Sequence, residues 1–141
     1  MPNVRPFEAV RCASTLLVTL CAVAAAAAAP DEPLPSAVVQ AQVESYNRGD
    51  AAGFAASYSD DVEVFDLGPD SKPTLRGRAA LLALYEPMFN RYHPQATILS
   101  RIESGHFVID KEQTTAAGHS HVGVAIYQVE NGKIRRVWFT P

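Results

Sequence analysis

Four groups of side chains in this chain of 141 residues have types and spacings that could do chemistry. Asp66 closes the run Val62-Glu63-Val64-Phe65-Asp66, and strand alternation sets its carboxylate on the same face as Val62 and Val64. A carboxylate on an otherwise apolar face is poorly solvated, which is what lets it act as a general base. Gln42 lies one helical turn from both Val38 and Tyr46, on an apolar stripe, so its amide must find a partner inside the fold or in a ligand. His121, Gly123, Ala125 and Tyr127 alternate onto one strand face, which gives an imidazole and a phenol able to touch the same bound molecule. His119 and His121, two residues apart, supply two metal-ligand types from one face. No Asp or Glu adjoins them in the chain, and neither a metal nor another cofactor is expected.

These side chains need elements to position them. Val38, Val39, Val43 and Tyr46 recur at helical spacing, which predicts a helix over Ser36 to Arg48, with Ser36 capping its first turn and Gly49 ending it. Asp50 is an N-cap for a second helix, Ala51 to Ser59, carrying Phe54 and Tyr58 on one side. A strand from Val62 to Leu67 and a turn-rich loop, Gly68 to Pro73, follow. Gly77 then introduces a helix bearing Leu81, Leu82, Leu84, Tyr85, Met88 and Phe89, which Pro87 should kink or shorten. Strands are predicted at Thr97 to Ile102, His106 to Ala117 and His121 to Val129. Glu130-Asn131-Gly132-Lys133 turns the last of these into a final strand, Ile134 to Thr140. The order predicts an α+β domain over residues 36–141, with helices on one face of a bent sheet.

The first 29 residues read differently. Arg5 and Arg11 precede an uncharged stretch from 12 to 29 that ends in six alanines, the order of a secretory signal peptide cut after Ala28 or Ala29. Pro30 to Pro35 reads as a linker. An exported protein, periplasmic or extracellular, is expected. Both cysteines, Cys12 and Cys21, fall in the signal, so the domain has no thiol for a disulfide, nucleophile or metal site. Of 12 basic and 15 acidic residues, Arg5, Arg11 and Glu8 leave with the signal; 10 basic and 14 acidic remain, a net charge of −4. That balance argues against nucleic-acid partners and against a stable membrane association once the signal is removed.

Val39-Gln40-Ala41-Gln42 through Tyr46-Asn47-Arg48-Gly49-Asp50, then Phe54 and Tyr58-Ser59-Asp60-Asp61-Val62, resembles the opening of the nuclear transport factor 2-like superfamily in its SnoaL-like branch. Gly77-Arg78-Ala79-Ala80-Leu81, Gly105-His106-Phe107-Val108-Ile109-Asp110, Val124 to Val129 and Gly132 to Phe139 continue the resemblance. It implies a cone-shaped fold, with three helices packed on a strongly curved, mostly antiparallel sheet that encloses an apolar pocket. Members include ketosteroid isomerases, polyketide cyclases, dehydratases, epoxide hydrolases and non-enzymatic binding domains.

The resemblance sets Asp66 where ketosteroid isomerases carry the carboxylate that shuttles a proton next to a carbonyl. The two oxyanion donors of those enzymes are missing here, because their positions hold Gln42 and Ala125. Classical steroid isomerisation is therefore not expected. The pocket residues implied are Gln42, Tyr46, Tyr58, Val64, His121, Ala125, Tyr127 and Phe139. Trp138 is placed in the core or on the outer sheet face, where the superfamily often forms homodimers. Two readings stay open: proton-transfer chemistry at Asp66 on a small apolar molecule, or a module that binds an apolar or aromatic ligand without turnover.

Overall fold

A computed structural model describes residues 31–69 and 72–140; the expected signal peptide, its cleavage site and both cysteines lie outside the described residues. Helix α1 spans Pro35–Arg48 and begins one residue before the sequence expectation, with Pro35 in its first turn and no side-chain cap. A proline costs nothing there, because the first N–H groups of a helix have no intrahelical partner. Gly49 ends the helix in the left-handed conformation that a residue without Cβ adopts freely. Asp50 caps α2 (Ala51–Ala56) by accepting from the Gly53 N–H at 2.9 Å.

The predicted second helix stops three residues early, because Tyr58 belongs to strand β1 (Tyr58–Asp66). There the Ser57 carbonyl accepts from Ile134 N–H at 2.9 Å, so pairing with the last strand overrides helix continuation. A two-residue strand β2 (Leu75–Arg76) went unpredicted. Helix α3 (Arg78–Tyr92) runs past Pro87 for another turn and more, so the proline does not end it. The remaining strands are β3 (Gln95–Ser104), β4 (Phe107–Ala116), β5 (His119–Glu130) and β6 (Lys133–Phe139).

The strands form one curved, open sheet in the order β2-β1-β6-β5-β4-β3. Its pairs are antiparallel except β1 with β6, which run parallel. Register divides the two faces. On the concave face, Val64, Val137, Tyr127 and Val108 form one cross-strand row, and Asp66, Phe139, Ala125, Asp110 and Arg101 form the next. The helices cover this face, and the core gathers Val39, Phe54, Tyr58, Val62, Leu81, Phe89, Val108, Tyr127, Ile134 and Val137. Phe54 is the hub between layers, with its ring 4.6 Å from that of Tyr85 and 5.1 Å from that of Tyr58. Asn47 ties the end of α1 to β3: its Nδ2 donates to the Ala96 carbonyl at 2.9 Å and its Oδ1 accepts from Ala96 N–H at 2.6 Å.

Candidate active site

Between the helices and the concave face lies a cavity of about 210 Å³. Gln42, Val43 and Tyr46 of α1, Phe54 of α2 and Tyr85 of α3 form its helical wall. The sheet contributes Ala96, Glu112, Thr114, His121, Gly123, Val124, Tyr127, Phe139 and, just beyond β6, Thr140. Alternation explains the sheet side. Glu112 pairs with Gly123 and Thr114 with His121, so these residues extend the concave face beyond the row that contains Asp110. Gly123, opposite Glu112, has no side chain, and His121 Nε2 and Thr140 Oγ1 close over it, 3.1 and 3.2 Å from where a Cβ would lie.

Glu112 is the chemically unusual group. Burial pushes its carboxyl up from 4.5 to about 7, and the charge of Asp110 adds to the rise; Arg101 and a hydrogen bond from the Tyr127 hydroxyl pull it partly back. Asp110, two residues earlier on the same face, is wholly buried. It holds Arg101 in a bidentate pair, Nε to Oδ1 and Nη2 to Oδ2, both at 2.7 Å. That fork is committed to Asp110, so Glu112 faces the cavity without a cation of its own. Desolvation likewise raises Tyr58 and Tyr127 well above the ordinary tyrosine value and Tyr46 to about 12, so these phenols stay protonated and serve as donors. Gln42 is buried, and its amide bonds with the Tyr58 hydroxyl. Its Oε1 has no hydrogen-bond partner.

Five of the residues singled out from sequence meet in this cavity: Gln42, Tyr46, His121, Tyr127 and Phe139. Three do not line it. Tyr58 is buried behind Gln42, Ala125 is sealed in the sheet between Asp110 and Phe139, and Val64 packs against the core.

Asp66 differs most from expectation. It is on the concave face, as alternation predicts, but at the exit of β1, where its side chain is exposed beside a surface groove with Leu67, Gly68 and Pro73. Its register partner Phe139 stands between it and the cavity. Parity sets the face of a strand residue; it does not set how far the apolar floor extends beneath it. Glu112, Asp110 and Arg101 were not singled out from sequence. The available signal was the alternation Val108, Asp110, Glu112, Thr114, which puts two acids on the same face as a core valine. Among the described residues no three His, Cys, Asp or Glu side chains are grouped to hold a metal, so His119 and His121 find no third ligand there.

The SnoaL-like domain family matches residues 39–137. The chain belongs to this family. No curated protein matches it. Its structure is similar to that of a cystatin-fold protein from Novosphingobium aromaticivorans, with a TM-score of 0.68 and 22% identity over 76% of this chain and 97% of the other. It is also similar to a Δ5-3-ketosteroid isomerase from a Mycobacterium species, at 0.65 and 23% over 74% and 91% of the two chains. An LEH-like epoxide hydrolase from Mycobacterium tuberculosis gives 0.66 and 16% over 75% and 80%. At these identities the likeness is one of fold, the NTF2-like fold shared with ketosteroid isomerases. What this SnoaL-like domain does with its cavity must be read from its own residues.

Proposed function

We propose that this SnoaL-like protein is a proton-transfer enzyme for a small, largely apolar molecule, with Glu112 as the acid–base group. The observation that carries this is the desolvated Glu112 carboxyl at the cavity wall, with a proton affinity poised near neutral pH. A carboxyl of that strength is half ionised at neutrality, so it can take a proton from carbon in one step and return it in the next. Tyr127 donates to the carboxyl and steadies its orientation. The aromatic rings of Tyr46, Phe54, Tyr85 and Phe139 hold the apolar body of the ligand. The isomerase and the epoxide hydrolase among the structural neighbours support a pocket enzyme. The role first expected of Asp66 passes to Glu112, because Asp66 meets solvent and not the cavity.

The test is hydrogen–deuterium exchange at carbon, followed by NMR in heavy water over a panel of small cyclic ketones and enones. Exchange catalysed by the wild type and by Asp66→Asn, and lost in Glu112→Gln, is the expected result. Equal activity in wild type and Glu112→Gln refutes the assignment, and ligand binding without any exchange makes the protein a binding module.

We further propose export, supported by residues 1–29, and a homodimer formed through the convex face. There Ile102, Ile109, Ile126 and Trp138 make a cross-strand row that ends at Phe65, whose ring stacks on Trp138 at 5.3 Å. Ile102 is 63% exposed, and Leu99, Phe107 and Val122 are exposed as well. Glu63 beside Arg76 and Arg136 gives the same face acids and bases that a two-fold pairing can match.

A further inference from the structure

The same cavity restricts the chemistry of what it takes. Its polar lining holds one carboxyl and one buried amide among neutral hydroxyl groups. Glu112 brings a carboxylate whose nearest guanidinium, Arg101, is occupied on both forks by Asp110. Gln42, also on the cavity wall, is only 5% exposed, and its enclosed Oε1 accepts nothing from the protein. A buried acceptor without a donor is costly, and a ligand N–H or O–H removes that cost. Around these acceptors stand five aromatic residues, Tyr46, Phe54, Tyr85, Tyr127 and Phe139. Aromatic faces attract cations through their quadrupole, most strongly where water is excluded.

We propose that the ligand is a small organic ammonium ion, an amine with an apolar or aromatic body, whose charged head pairs with Glu112 and donates to Gln42. This rests on the reading that the Glu112 cavity is the ligand site, and it does not depend on turnover.

The charges around Glu112 agree with it. Tyr46 from α1, Tyr58 from β1, Tyr85 from α3 and Tyr127 from β5 face it as neutral phenols. Arg101 of β3 is matched by Asp110 of β4, and His121 of β5 is an exposed cavity-lining residue. The balance left in the cavity is one carboxyl. Burial is the main reason that Glu112 keeps its proton up to about 7, and the charge of Asp110, the smaller cause, is the part that also attracts a cation. An ammonium replaces that proton and leaves the carboxylate ionised in the complex, ready to act as a base. An anionic ligand meets Glu112 and Asp110 and is refused.

The experiment is calorimetric titration of the protein with three probes of one shape: benzylamine, benzyl alcohol and benzoate. Each is measured at pH 7 and pH 8.5, in two buffers of different ionisation enthalpy. Each unit by which a bound cation lowers Glu112 gives a tenfold preference, so benzylamine is expected to bind about tenfold more tightly than benzyl alcohol at pH 8.5. Benzoate is expected not to bind. At pH 7 benzylamine should release up to about half a proton, because Glu112 is then half protonated. Glu112→Gln should abolish the preference for benzylamine over benzyl alcohol. If that variant does not fold, proton release in the wild type decides.

The inference is overturned if benzyl alcohol binds as well as benzylamine, if benzylamine binds without releasing protons, or if no probe binds. Its failure differs from that of the catalytic reading. Neutral ketones that exchange protons through Glu112 while benzylamine is not preferred would remove only the ammonium. Benzylamine bound with proton release, and no exchange on any ketone, would remove only the catalysis.

Discussion

Replacing Glu112 with glutamine should make the protein more stable, by an amount that grows as pH rises from 5 to 7 and levels off above it. In the unfolded chain this carboxyl has its ordinary value of 4.5, and in the fold it sits at about 7. The folded state therefore binds the proton more tightly. Stability from this group is fully present below pH 4.5 and is lost as pH rises through 7. A rise from 4.5 to about 7, at about 1.4 kcal/mol per unit, is worth roughly 3 kcal/mol in total. About 2.5 kcal/mol of that falls between pH 5 and pH 8. Glutamine keeps the shape and the hydrogen-bonding edge and removes the titration, so the variant should lose this slope.

Urea unfolding of wild type and Glu112→Gln at pH 5 and pH 8 measures it directly. The two proteins should be nearly equal at pH 5. At pH 8 the variant should lead by about 2.5 kcal/mol, equivalent to roughly 10 °C in melting temperature for a domain of this size. The other carboxylates titrate in both proteins and cancel in the difference. A difference that is the same at both pH values would mean that Glu112 is well solvated in the fold. The acid–base role and the ammonium pairing would then lose their common footing.

Three other outcomes follow from the same structure. Arg101→Met leaves the wholly buried Asp110 without its bidentate partner, which should cost about 3–5 kcal/mol by urea unfolding. The double variant Arg101→Met/Asp110→Asn should regain most of it, and a single variant costing under about 1 kcal/mol would contradict the pairing. Asn47→Ala removes two bonds between the end of α1 and Ala96, with an expected loss of about 2 kcal/mol by thermal melting and weaker ligand binding, since Ala96 lines the cavity. Trp138→Arg should convert the proposed dimer to a monomer in sedimentation equilibrium without unfolding the domain; a monomeric wild type would dispose of the convex-face interface.

What could be read in the chain and what could not divide along a physical line. Features decided within a few residues were legible. The turn at Asn131-Gly132 is one, with φ of 51° and 68° at the two positions, the chemistry of a tight hairpin. The Asp50 cap and the Gly49 terminus are others. Features decided by chain segments far apart were not legible. Tyr58 reads as helix until its pairing with Ile134, 76 residues on, makes it a strand. The parallel partnership of β1 and β6, and the two-residue β2, leave no periodic trace.

The site divides in the same way. Alternation along β5 was enough to bring His121 and Tyr127 to one wall, and helical spacing was enough for Gln42 and Tyr46. It misled for Asp66, whose face was right and whose position along the sheet was not. Glu112 was passed over because a charge in a strand reads as the solvated side unless its partner is known. Here the partnership runs through a hairpin. The turn at Gly105-His106 sets Arg101 opposite Asp110, the pair buries together, and the next inward residue along β4 is Glu112. Once Asp110 has taken the guanidinium, Glu112 must hold its own proton or find a cation. The raised proton affinity of Glu112 thus originates in a strand register that residue types alone do not display.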